Sequence, residues 1–152
     1  MLDRLRALIL DRPPPPPPGG DLRLAVAALL VAAARMDDVF DGAERDTILR
    51  LLAGRFGLDR AATEQLLHAA EQAESQAAGA YRFAKSVIDE MTPAERIGLI
   101  EMMWEVVYAD GALDADEDAL LRRVAGLVDV DDRDRGAARQ RVLARLGHTA
   151  RS

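Results

Sequence analysis

The chain has 152 residues, 49% hydrophobic and 30% charged, with a formal net charge of −6. A single core serves about 100–200 residues, so one globular domain is expected. Cysteine is absent, which excludes disulfides, thiolate catalysis, zinc ribbons and iron–sulfur ligation. The acidic balance argues against nucleic acid as a partner, and 4% aromatics is thin for base stacking or sugar platforms.

Residues 1–12 read as a short amphipathic helix. Leu2, Leu5, Leu8 and Ile9 recur at helical spacing, with Arg4, Arg6 and Arg12 beside them. So short a helix is marginal alone. It is expected to dock on its own domain, or to make weak contact with a membrane surface. Residues 13–20 hold six consecutive prolines, Pro13 to Pro18, and then Gly19 and Gly20. Proline locks φ and removes backbone donors, so this stretch reads as a semi-rigid spacer. The packed domain is expected over 21–147, with 148–152 as a frayed tail.

Within that domain the chain reads as helix throughout. Asp21 can cap a helix through Leu24, Ala28, Val31 and Ala32. A second helix is predicted from about Asp41 to Phe56, closed by Gly57 in a left-handed C-terminal position. Asp59 can cap a third, from Arg60 to about Ala77, which Gly79 breaks, and residues 80–90 form another. Thr92-Pro93-Ala94-Glu95 is a capping box with proline in the first helical position. The helix it opens, to Ala109, is apolar on nearly every side except at Glu101 and Glu105. A helix apolar all round is buried, so this one is predicted to be central. Helices from Asp114 to about Val128 and from Asp131 to Leu146 complete the reading. The last carries Arg133, Arg135, Arg139, Arg141 and Arg145, read as a solvated basic face. No segment offers about 18 apolar residues without charge, so a membrane span is not expected. Asp3 and Asp11 speak against a signal peptide, which makes the cytoplasm the expected location.

Two stretches match at an offset of 73 positions, Arg35 to Glu44 and Tyr108 to Glu117. Asp37 aligns with Asp110, Asp41 with Asp114, and Glu44 with Glu117; the apolar Phe40 and Leu113 align as well. Each unit is a helix, a tight acidic turn and a second helix, and such hairpins pack in pairs to bury their apolar stripes. The predicted fold is all-α: two pseudo-symmetric helical hairpins plus connecting helices, with residues 59–90 as the connection, around a buried central helix. A mechanical account covers part of each triad. Asp41 and Asp114 can be N-caps, and Glu44 and Glu117, three residues on, can reach back to the cap amide. Asp37 and Asp110 are different. They end the incoming helix, where the dipole disfavours negative charge. Carboxylates crowded in this way call for a cation or for raised pKa values. The spacing is not that of an EF-hand.

Tyr108-Ala109-Asp110-Gly111-Ala112-Leu113-Asp114-Ala115-Asp116-Glu117, with Met103-Trp104-Glu105 before it, resembles the second hallmark turn of the tellurite-resistance TerB family. Arg35-Met36-Asp37-Asp38-Val39-Phe40-Asp41-Gly42-Ala43-Glu44 resembles the first. The similarity spans roughly residues 22–146. It implies an all-α domain of two pseudo-symmetric halves, a role in stress or tellurite-resistance systems, and divalent-cation binding at the acidic positions. Those positions are Asp37, Asp41 and Glu44 in one half, and Asp110, Asp114 and Glu117 in the other. Related domains occur beside the J-domain of a membrane-anchored co-chaperone. Asp38 departs from the pattern, standing where glycine is expected after the first aspartate.

The expected function is therefore a non-enzymatic module that binds calcium, or else magnesium, because only carboxylate and carbonyl oxygens are on offer. It would serve as a scaffold or sensor among other stress-system proteins, in the cytoplasm or at the inner face of the membrane. The alternative is a helical protein–protein adaptor, associated with co-chaperones, whose acids are only caps. A carboxylate hydrolase is disfavoured. The two histidines, His68 and His148, are far apart, no serine sits in a nucleophile elbow, and no small-molecule substrate suggests itself. Glu101 and Glu105 are expected either to add oxygen ligands or to pair with Arg35, Arg82 or Lys85. Trp104 and Tyr108 are expected in the core.

Overall fold

The computed structural model describes residues 20–35, 42–74, 79–110 and 115–147. These form seven α-helices and no strand among the described residues: α1 (Gly20–Ala34), α2 (Gly42–Phe56), α3 (Arg60–Glu74), α4 (Gly79–Glu90), α5 (Pro93–Val107), α6 (Ala115–Leu127) and α7 (Asp132–Arg145). A 3-10 turn, Tyr108–Asp110, ends α5. The all-α prediction holds, with boundaries within a few residues of those read from capping and glycine signals. The N-terminal helix expected over 2–12, the proline run and the tail at 148–152 lie outside the described residues.

The expected central helix, α5, buries Leu99, Ile100, Met103, Trp104, Val106 and Val107. It shares the centre with α1. Every residue from Ala25 to Val31, with Ala33 and Ala34, is buried, a fuller apolar surround than the stripe read from the sequence. α1 packs against α2, α3, α4, α5 and α6, while α5 packs against α1, α2, α6 and α7. Alanine on most faces of α1 lets this many neighbours approach at once. Burying each large side chain in this core stabilises the fold by about 1.5–3 kcal/mol.

Local signals set the ends. Thr92 is the N-cap of α5. Its hydroxyl accepts from the Glu95 amide at 3.1 Å, and its own amide donates to Glu95 Oε1 at 2.9 Å, so the capping box is complete. The hydrogen bond from the Thr92 amide, with further help from the Thr92 side chain and Arg55, holds the Glu95 carboxyl below its ordinary range against the opposing effect of burial. After α2, Gly57 turns left-handed at φ 65°, and the Leu58 amide donates back to the Ala53 carbonyl at 3.2 Å. Asp59 then caps α3 by accepting from the Ala62 amide at 2.8 Å.

The junction between α6 and α7 is built in the same way. Asp129 is left-handed at φ 64°, the Val130 amide donates to the Ala125 carbonyl at 2.8 Å, and Asp131 accepts from the Asp134 amide at 2.8 Å. The two joints are thus alike in their local geometry. α3 packs on α1 and α2 as α7 packs on α5 and α6. Residues 59–90 are thus more than a connection: α3 belongs with the first hairpin, and α4 lies across α1, α3 and α6.

Candidate functional site

Two ion pairs set the direction of α2 relative to α5. Arg50 meets Glu105 at 2.7 Å and Arg55 meets Glu95 at 2.9 Å. Higher numbers on one helix pair with lower numbers on the other, so the two run antiparallel. The start of α2 therefore lies by the end of α5, and the Tyr108–Asp110 turn packs against α2. α2 begins where the first acidic stretch ends, and the 3-10 turn begins the second. The described flanks of both acidic stretches meet at one pole of the molecule.

Glu44 and Glu117, the last acids of the two triads, occupy the same place. Each is the third residue of its helix, in α2 and α6. Both are buried, at 0% and 2% exposure. Negative charge in the first turn of a helix is favoured by the helix dipole. Of the other predicted ligands, Asp37, Asp41 and Asp114 lie outside the described residues, and of Asp110 only the backbone is described. Among the described residues, no group of three or more potential metal-binding side chains is gathered. Arg35 and Arg45 flank the first acidic stretch, and both reach Glu71 of α3, at 3.8 and 3.2 Å.

Beside this pole lies a cluster that sequence reasoning assigned to other partners. Glu101 and Glu105 do pair with arginines, but with Arg50, Arg141 and Arg145. Lys85 instead meets Asp89 on its own helix at 2.7 Å. Arg141 Nε donates to Glu101 Oε2 at 3.0 Å, and Arg145 Nη1 donates to Glu101 Oε1 at 2.7 Å. Arg145 Nη2 donates to Glu105 Oε1 at 2.9 Å and Arg50 Nη2 to Glu105 Oε2 at 2.7 Å. All four carboxylate oxygens are engaged, and Glu105 joins α2, α5 and α7. Burial pushes the Glu105 carboxyl up, yet the hydrogen bonds and charges of Arg50 and Arg145 outweigh it and hold the carboxyl below its ordinary range. The hydrogen bonds to Glu101 and then Glu105 raise Arg145 in turn. Of the basic face predicted on the last helix, Arg141 and Arg145 reach α5 while staying about half exposed, at 49% and 47%.

One turn further along α5, Trp104 and Tyr108 are buried as expected, with ring centroids 6.0 Å apart and stacked. Arg139 Nε donates to the Tyr108 hydroxyl at 2.7 Å. Its guanidinium lies 5.7 Å from the Trp104 ring centroid and 5.9 Å from that of Tyr108. A shallow groove of about 540 Å³ opens between α2 and α3, lined by Asp46, Leu49, Arg50, Ala53, Arg60 and Thr63. It mixes both signs of charge, and Arg50 is already committed to Glu105.

A direct comparison gives the family. Residues 23–140 match the family model of the tellurite resistance protein TerB. The chain belongs to the TerB family. No curated protein and no solved structure matches it. The TerB match covers most of α1 through most of α7, so both acidic stretches and Arg50, Glu101 and Glu105 fall inside the family match, while Arg141 and Arg145 lie just beyond it. Among the described residues, no helix is long and apolar enough to cross a membrane.

Proposed function

We propose that this TerB-family chain is a non-enzymatic module that takes up divalent cations at its two acidic turns, as a scaffold or sensor in a stress or tellurite-resistance system. Asp37, Asp41 and Glu44 would serve one turn, and Asp110, Asp114 and Glu117 the other. The observation that carries the reading is that described flanks of the two acidic stretches, the start of α2 and the Tyr108–Asp110 turn, meet, with Glu44 and Glu117 buried as the third residues of α2 and α6. Folding alone accounts for a cap and its reciprocal glutamate. It gives no reason for aspartates at the end of the incoming helices, where the dipole opposes them. A hard cation held by carboxylate and carbonyl oxygens would offset that charge; calcium suits such a ligand set best, and magnesium next. The cytoplasm, its membrane face included, is the proposed setting.

Calorimetric titration with calcium and with magnesium, paired with thermal melts, tests this. Binding to the folded state alone raises stability by about 2.7 kcal/mol at a cation concentration a hundredfold above Kd. The melting temperature should rise with cation, and Asp110→Asn with Asp37→Asn should abolish the rise. No heat and an unmoved melt at millimolar cation would remove the proposal. A second reading, a helical adaptor whose acids are only caps, draws on Glu44 and Glu117 standing three residues after Asp41 and Asp114. It expects no cation response in any variant, and loss of stability alone from Asp114→Ala.

A further inference from the structure

α7 and α3 hold corresponding places, yet they are attached differently. α3 buries Thr63, Leu67 and Ala70 and is enclosed by α1, α2 and α4. α7 buries Ala138, Val142 and Leu143 and rests chiefly on α5 and α6. Ion pairs add to its hold on α5: Arg141 on Glu101, and Arg145 on both Glu101 and Glu105. The Arg145 side chain is 47% exposed, and ion pairs of that kind contribute about 0–1 kcal/mol each and weaken with salt. Beneath α7, Arg139 lies over Trp104, which is 1% exposed. A helix resting on two neighbours rather than three, with solvent-facing ion pairs among its contacts, is a place where local opening can begin.

We propose that α7 is a releasable strap: it lifts from α5 while the other helices stay folded, uncovering Trp104, Tyr108 and the Glu101–Glu105 carboxylates as an aromatic, acidic face. The ion pairs are the salt-sensitive part of the strap's hold, so salt loosens it. It does not depend on cations at the acidic turns, so it stands or falls separately from that reading.

The test uses the full chain with a chelator present. Amide hydrogen exchange is followed in α7, α3 and α1 from about 0.05 to about 0.5 M sodium chloride, over which the screening length falls about threefold. In parallel, acrylamide quenching is read from Trp104, the only tryptophan. The α7 amides should exchange at least about tenfold faster than those of α1, the gap should widen with salt, and Trp104 quenching should rise with it. Arg141→Gln with Arg145→Gln should show, at low salt, the wild-type behaviour at high salt. Equal protection in α7 and α1 at every salt concentration would overturn the proposal. So would a salt effect shared by all helices, which would mean global unfolding. The wild-type salt series decides the matter even if the double variant does not fold.

Discussion

In α1–α2–α3 the third helix packs on the first two, as it does in α5–α6–α7, but the means of attachment differ. At the offset of 73 positions that aligns their acidic turns, Ala28 and Ala32 of α1 stand where α5 has Glu101 and Glu105. In the first unit a helix of small residues lets α3 come close. In the second, two carboxylates gather arginines from α7 and α2. The joints, by contrast, are shared: a left-handed residue, a backward amide bond and an aspartate cap. The ends of these helices are set locally, and one helix order can be held by close packing or by charge.

Exchanging a feature of one unit for that of the other should break this comparison most severely at Ala28. Ala28→Glu copies Glu101 into a site 1% exposed, where no arginine has been recruited for it. Burying an uncompensated charge costs several kcal/mol, so a loss of roughly 4 kcal/mol or complete unfolding is expected in a urea titration. A loss under about 1 kcal/mol would mean that α1 tolerates charge as α5 does. Glu105→Gln comes next. It removes one charge from the junction of α2, α5 and α7, and the exposed arginines left behind recover water, so about 1–2 kcal/mol is expected. Its pH signature follows from the lowered carboxyl. The Glu105 contribution is present above the ordinary glutamate range and is lost as pH falls through its depressed folded pKa. Acid unfolding of Glu105→Gln should therefore be less steep than that of the parent chain.

The smallest effects belong to the joints, and they should have opposite signs. Gly57→Ala puts a side chain at φ 65° with no atom within 4 Å of the new Cβ, so the cost is conformational alone, about 1 kcal/mol. Asp129→Gly relieves the same geometry and should stabilise by up to about 1 kcal/mol. Thermal melts of the two variants check the pair. Shifts of the same sign would mean that the joints are not equivalent.

Much of this was legible in the sequence, where the signals are short-range. Thr92-Pro93-Ala94-Glu95, Gly57, Asp59 and Asp131 each announce a helix end within a few residues. The acidic repeat was legible too, because its residue types coincide. What escaped was non-local. The partners of Glu101 and Glu105 lie 40 to 55 positions away, and with 20 cations in the chain nothing in one dimension selects among them. The kinship of α3 and α7 was hidden because one joint uses glycine and the other aspartate, and because the offset slips to 72 between Gly57 and Asp129. The approach of the Tyr108–Asp110 turn to α2 rests on the antiparallel setting of α2 and α5, which only the folded chain supplies.

The short joints carry a further consequence. From Gly57 to Asp59 the chain has no slack, so the joint sets the rotational phase of α3 as well as its start. One inserted residue would turn the helix by roughly 100°, swinging Leu67 and Ala70 off α1 and bringing charged side chains against it. Such an insertion should be far more damaging than any single exchange within the joint, and the same holds between Asp129 and Asp131.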